Sequence, residues 1–390
     1  MVILKRMIAK IINFPSQRLV RALFAAGWVL SFCCSAQTNS RPDRLPARLD
    51  SLFASVPDFS GVVLIARNAQ PLYHRAFGYR QYATGQKNDI NSIFELASVS
   101  KQFTAMAVMM LKEKGLLTWD DPLAKFIPSL PYPNITIRHL LNHTSGLPDY
   151  QAVMDQHWDK SKVANNNDNI AMLERHRPPA RFEPGTRYEY SNTGYMLLAS
   201  VVEKVSGEDF IDFCRNRLFQ PLQMNQTDIR TRAEKHQLPT MAWGHLPAPD
   251  GKTFLPADSF PAFNYTIWLG NRKGPGRISA TAADLLRWDE ALYTGQLVTP
   301  FTLGEAFSPA KLNDGSLSQY GFGWDLAIDP AMGRVVRHSG DNPGYKTQII
   351  RYIDRHETVI LLCNNAHPRF DNVLATIEKM LAQSAQKLKR

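Results

Sequence analysis

The chain has 390 residues, 44% hydrophobic and 21% charged, a balance that excludes a largely disordered chain and a disulfide-stapled miniprotein. The length suits two compact domains or one large enzyme domain with insertions. Lys and Arg number 45 against 35 Asp and Glu, but Lys5, Arg6, Lys10, Arg18 and Arg21 stand in the first 36 positions, where no acid occurs. The other 40 basic residues exceed the 35 acids only mildly and form no block interleaved with aromatics, so nucleic acid is not an expected partner.

Residues 1–36 read as an export signal. A basic stretch ends at Arg21, an apolar run too short to span a bilayer comfortably goes from Ala22 to Cys34, and small residues precede a cut before Gln37. An uncleaved anchor is the alternative, and a lipidated Cys33 or Cys34 fits badly with Phe32 ahead of it. The mature protein is therefore expected in the periplasm or secreted, without a stable membrane span. It keeps only Cys214 and Cys363, expected as buried free thiols rather than a disulfide.

A short helix is expected over 47–56, then two strands, 61–66 and 71–77, around the turn Asn68-Ala69-Gln70. Residues 98–114 read as a helix apolar on nearly all sides, hence buried, that ends at Lys112, Lys114 and Gly115. From 116 to 275 helical patterns alternate with long polar loops, the clearer helices being 170–176 and 193–205. A capped helix follows over 282–293, then strands over 320–328, 334–338, 346–352 and 358–364, and a last helix over 369–387 with Val373, Ile377 and Leu381 on one face. The economical fold is of α/β composition, α+β in type. A mostly antiparallel sheet built from both chain ends (about 45–115 and 276–390) is flanked by helices, with a large helical insertion lobe over 116–275 and a ligand cleft between the two.

Several chemistries lack their motifs. No Gly-x-Gly-x-x-Gly or Gly-x-x-x-x-Gly-Lys is present, and no Gly-x-Ser-x-Gly. His139 and His143 have the spacing of a zinc helix, but Leu140 stands where the catalytic Glu would be, so ordinary helix histidines are expected and no metal.

The positive signal is Ser-x-x-Lys. It occurs at Ser98/Lys101, Ser308/Lys311 and Ser384/Lys387, and context separates the three. Ser308 precedes Pro309 in a loop, and Ser384 lies in the polar C-terminal tail. Ser98 opens the buried helix. A plain N-cap would explain Ser98 but not Lys101, a cation set against the helix dipole at a cost of roughly 0.3–1 kcal/mol. A nucleophile and a deprotonating amine explain both: one turn apart they share a face, while burial and the helix N-terminus favour the neutral amine. Tyr190-Ser191-Asn192 follows a Pro-Gly turn and precedes a helix. A second Tyr-x-Asn, at Tyr132-Pro133-Asn134, is stiffened by Pro133. His338-Ser339-Gly340 ends a predicted strand.

Ser98-Val99-Ser100-Lys101, Tyr190-Ser191-Asn192 and His338-Ser339-Gly340 stand in the order of the penicillin-recognising serine enzymes. From about residue 45 to 380 the chain resembles the class C β-lactamase branch of that family, with its D-Ala-D-Ala carboxypeptidases, D-aminopeptidases and esterases. Phe94-Glu95-Leu96-Ala97, the stretch Leu140 to Leu147, Tyr320-Gly321-Phe322-Gly323-Trp324 and Pro343-Gly344-Tyr345 extend the likeness. The resemblance implies a β-lactamase/transpeptidase-like fold, with Ser98 as acylated nucleophile, Lys101 as its deprotonating or orienting partner and Tyr190 as general base. It implies that Asn192 binds the substrate carbonyl, that His338, Ser339 and Gly340 line the substrate strand, and that the backbone N–H groups of Ser98 and Asp341 form the oxyanion hole. It implies no metal or organic cofactor.

Two positions depart from the lactamase pattern: His338 stands where Lys is usual, and Asp341 where a small residue is common. A partly charged His338 and a nearby carboxylate weaken the expected recognition of an anionic substrate. The leading expectation is an exported serine hydrolase acting on a small-molecule or peptide ester or amide, of esterase or D-amino-acid peptidase type. The alternatives are a β-lactamase and a catalytically silent binding protein, the latter opposed by intact Ser98, Lys101 and Tyr190.

Overall fold

The computed structural model describes residues 45–388; the expected export signal, with its cut before Gln37, lies outside the described residues. Gly61–Arg67 (β1) and Gln70–Phe77 (β2) form the expected hairpin. Asn68 and Ala69 between them have φ of +48° and +63°, the left-handed pair that a tight hairpin turn requires. Near the other end of the chain come Asp325–Asp329 (β3), Gly333–Asn342 (β4), Tyr345–Tyr352 (β5) and Glu357–Cys363 (β6). Together they make one six-stranded antiparallel sheet of order β3-β4-β5-β6-β1-β2, so the chain ends meet where β1 pairs with β6.

β1 reads as a continuous apolar run because both its faces are covered. Val62 and Leu64 join the core formed with Lys101–Glu113 (α2), Asn192–Ser206 (α4) and Ala282–Thr294 (α5). Val63 and Ile65 face Leu45–Ala54 (α1) and Phe370–Leu388 (α6). Val373, Ile377 and Leu381 of α6 are buried in that second layer, as their spacing predicts. Each such side chain contributes on the order of 1.5–3 kcal/mol. The 170–176 helix lies within Asn166–His176 (α3), which starts earlier because Asn165 caps it.

Two expected elements differ. The 98–114 helix begins as a tight 3₁₀ turn, Ala97–Ser100, before α2 proper starts at Lys101. The 320–328 strand is regular only from Asp325. Gly323 takes φ +81°, and a Cβ there would lie 3.0 Å from both the Gln102 Cα and the Lys101 carbonyl oxygen. The Tyr-Gly-Phe-Gly-Trp stretch therefore folds onto the start of α2 rather than extending. Phe94–Glu95 pairs with Ile278–Ala280, which also pairs with Asp228–Ile229, and this small sheet anchors the segment leading into Ser98. Cys214 and Cys363 are both buried and unpaired, as expected.

Candidate active site

The turn carrying Ser98 is set by a backbone conformation that sequence does not announce. Ala97 has φ +48°, an unfavourable value for a residue with a Cβ. The Leu96 carbonyl presses against β4 at Gly340, where a Cβ would stand 2.2 Å from that oxygen. Glycine at 340 thus lets the nucleophile turn and the strand approach. Beyond Arg337, which pairs with Asp325, β4 has no partner from β3, and His338 to Asn342 form a free strand edge beside Ser98.

Lys101 is fully buried. Its Nζ lies 3.1 Å from Ser98 Oγ, 2.9 Å from Asn192 Oδ1 and 2.9 Å from the Pro275 carbonyl oxygen. Burial, aided by the Arg272 charge, pushes its pKa well below the usual lysine value. A neutral amine has two N–H donors and one lone pair. The two carbonyls take the donors, which leaves the lone pair for the Ser98 hydroxyl.

Tyr190 places its ring centroid 4.7 Å from Lys101 Nζ, with its hydroxyl near that of Ser98. Burial raises the phenol's pKa, outweighing the influence of Ser98, so Tyr190 rests as a neutral phenol and not as a phenolate base. Ser191 caps α4 through its hydroxyl, which accepts from the Gly194 N–H, and Asn192 is the first helical residue. Asn192 uses its Oδ1 on Lys101, and its amide nitrogen faces no bonded partner among the described residues.

His338 corrects an expectation. It is buried, and burial together with Lys101 pushes its pKa down to about 3, so it is uncharged at neutral pH and not partly protonated. Its Nδ1 is 2.6 Å from the Ser339 carbonyl oxygen and its Nε2 is 2.9 Å from the Tyr320 hydroxyl. These contacts place the proton on Nδ1 and make Nε2 the acceptor of the Tyr320 O–H. Asp341 is a second correction. By strand alternation Ser339 and Asp341 share the β4 face of Val335 and Arg337, which carries α6, whereas His338 and Gly340 face the Ser98 turn. The Asp341 carboxyl has Lys346 and Asp371 for charged neighbours, and burial raises its pKa. Its charge is directed away from the nucleophile.

The structure thus gathers Ser98, Lys101, Tyr190, Asn192, His338 and Gly340, with Ser339 exposed on the adjoining edge. The competing motifs are absorbed elsewhere: Ser308 and Ser384 donate to the Gly304 and Met380 carbonyls, and Tyr132 to the Pro178 carbonyl. Sequence reasoning missed four contributors. His143, at φ +59°, accepts the Ser191 N–H at Nδ1 and packs 4.3 Å from the Tyr190 ring. Tyr320 packs against both His143 and His338. The Pro275 carbonyl and Arg272 act on Lys101. His143 and Tyr320 lay in stretches that carry the resemblance; a backbone carbonyl leaves no residue-type signal.

The family model described as Beta-lactamase matches residues 49–383. Penicillin-binding protein 4* of Bacillus subtilis (strain 168) is 41% identical over 320 residues, 81% of this chain and 71% of that protein. A D-aminopeptidase of Cereibacter sphaeroides is 25% identical over 85% of this chain, and the match spans 62% of that relative's length. The crystal structure of a penicillin-binding protein from Bacillus halodurans superposes with a TM-score of 0.73 at 27% identity, covering 85% of this chain and 98% of that one.

Proposed function

The chain belongs to the β-lactamase family of serine hydrolases, and on that premise we propose that it cleaves an ester or amide of D-amino-acid type through an acyl-enzyme on Ser98. The observation that carries this reading is the Lys101 contact set, which holds an amine lone pair toward Ser98 Oγ. Lys101 takes the Ser98 proton as Oγ attacks the carbonyl carbon. Tyr190, a phenol beside Ser98 and Lys101, passes that proton to the leaving group. The free amide nitrogen of Asn192 binds the substrate carbonyl, and the backbone edge of β4 at Ser339 meets the substrate. The N–H groups of Ser98 and Asp341 receive the developing oxyanion. Water then hydrolyses the acyl-enzyme.

Esterase or peptidase action is favoured over β-lactamase action, because the uncharged His338 offers no fixed cation to a substrate carboxylate on that side. The basic and apolar N-terminal segment supports export, and no helix among the described residues is long and apolar enough to cross a membrane. Mass spectrometry after incubation with a fluorophosphonate or penicillin tests the reading. One adduct mapping to Ser98 is expected, and an adduct on Ser308 or Ser384, or none, would overturn it.

A further inference from the structure

Three segments that leave the catalytic centre enter one adjoining cavity. Glu95 lies three residues before Ser98, Arg272 three before Pro275, and Asn342 directly after Asp341. The cavity, about 70 Å³, is also lined by Arg232, Lys235, Asp258 and Arg277, and it has room for a carboxylate-sized group. Its charges do not balance. Lys235 pairs with Glu95, which also accepts from the Asn342 amide, and Arg232 pairs with Asp258. That uses both carboxylates and leaves two guanidiniums. Arg277 is only 6% exposed and donates to the backbone carbonyls of Arg230 and Arg272, with no carboxylate partner. Arg272, half-buried, makes no side-chain hydrogen bond or ion pair among the described residues. Glu95, held by Lys235, acts on both guanidiniums only at a distance. A cation withdrawn from water with no carboxylate in contact is costly, and its retention points to a ligand that supplies one.

Arg277 adds an independent mark. It holds φ +78°, a conformation in which glycine would be unstrained and a long side chain is not. The fold tolerates that strain to keep a guanidinium in this cavity.

The direction along β4 tells which part of a substrate reaches the cavity. Tyr190, donor to the leaving group in the reading above, flanks His338, with ring centroids 6.2 Å apart. Asn342 lies four residues further along β4, roughly 13 Å at strand rise. The acyl portion therefore extends toward the cavity. We infer that Arg272 and Arg277 form an acyl-side subsite for an anionic group, so that the substrates are esters or amides whose acyl part carries a carboxylate. A free α-amine at that end is disfavoured, which separates this enzyme from simple aminopeptidase action.

The inference rests on the serine-hydrolase reading, and one substrate pair keeps the two distinguishable. The nitrophenyl half-ester of adipic acid is compared with nitrophenyl hexanoate, equal in chain length and lacking the charge. Wild type is expected to favour the adipate at least tenfold in kcat/KM. Arg272→Ala and Arg277→Gly should each lower that ratio tenfold or more, and Arg272→Lys should retain most of it. Hexanoate turnover without an adipate preference, or a ratio unmoved by both substitutions, overturns the subsite and leaves the hydrolase standing. If neither ester is cleaved and Ser98 takes no covalent probe, both fall together.

Discussion

Lys101 Nζ meets Ser98 Oγ at 3.1 Å while two carbonyl oxygens, Asn192 Oδ1 and Pro275 O, stand at 2.9 Å. This division of partners fixes the direction of proton flow. The carbonyls can only accept, so the hydroxyl is the one neighbour able to give a proton to the amine. Ser98→Ala should abolish turnover while the melting temperature stays within about 2 °C, because the half-buried hydroxyl contributes little packing. Lys101→Ala should slow acylation by about 10²–10⁴-fold. Single-turnover kinetics with a chromogenic ester measure both, and acylation near the wild-type rate in Lys101→Ala would assign the base elsewhere.

Tyr190 is a phenol at rest, so its part is to relay a proton and not to hold a negative charge. Tyr190→Phe keeps the ring against Lys101 and His143 and removes only the O–H. Acylation should fall by about 10²-fold or more for an amide, whose leaving nitrogen must be protonated. A nitrophenolate departs without a proton, so nitrophenyl esters should lose less. Equal losses on the two substrates would show that Tyr190 acts on attack and not on departure.

The three motifs could be picked from the sequence because each is a side chain with a chemical reason to be there. A buried lysine in a first helical turn is anomalous unless it reacts, and β-rich runs set off by turn residues marked the strands of the sheet. What escaped was carried by backbone or by distance. The strained φ of Ala97 and the carbonyls of Leu96 and Pro275 have no residue-type signature. His338 and Asp341 were legible as residues but not as charges. Burial decides the first and strand alternation the second, and both depend on neighbours far along the chain. Arg272 and Arg277 belong to no motif, and only the fold sets them in a cavity whose carboxylates are already paired.

Gly340 provides a steric test of the contact between strand and nucleophile. A Cβ at this position would meet the Leu96 carbonyl and the Thr347 hydroxyl, each at 2.2 Å. Neither is the end of a long flexible chain, so the turn or the strand must move. Gly340→Ala should cost roughly 1–3 kcal/mol of stability and should reduce acylation even in protein that remains folded. Paired denaturant melts and burst measurements check this, and a stable, fully active variant would refute the close approach.

The uncharged state of His338 predicts how stability responds to acid. Its imidazole titrates at about 3 in the fold, against ~6.5 in an unfolded chain. Burial is the larger cause, and it persists when Lys101 is itself neutral. Below pH 6.5 the unfolded chain binds a proton that the folded chain refuses. The stability contribution is therefore complete above 6.5 and is lost as pH falls toward 3, at roughly 1.4 kcal/mol per unit. His143, buried and likewise pushed down, adds a parallel slope. His338→Gln retains an acceptor for the Tyr320 O–H and a donor for the Ser339 carbonyl, but it cannot titrate. The variant should therefore lose less stability than wild type between pH 6.5 and 4.5, with the His143 slope still present in both. Melting temperatures across that range make the comparison. Parallel curves for the two proteins would mean that His338 accepts its proton in the folded state near the ordinary value, with the Tyr320 hydroxyl turning in mild acid to accept from the Nε2–H.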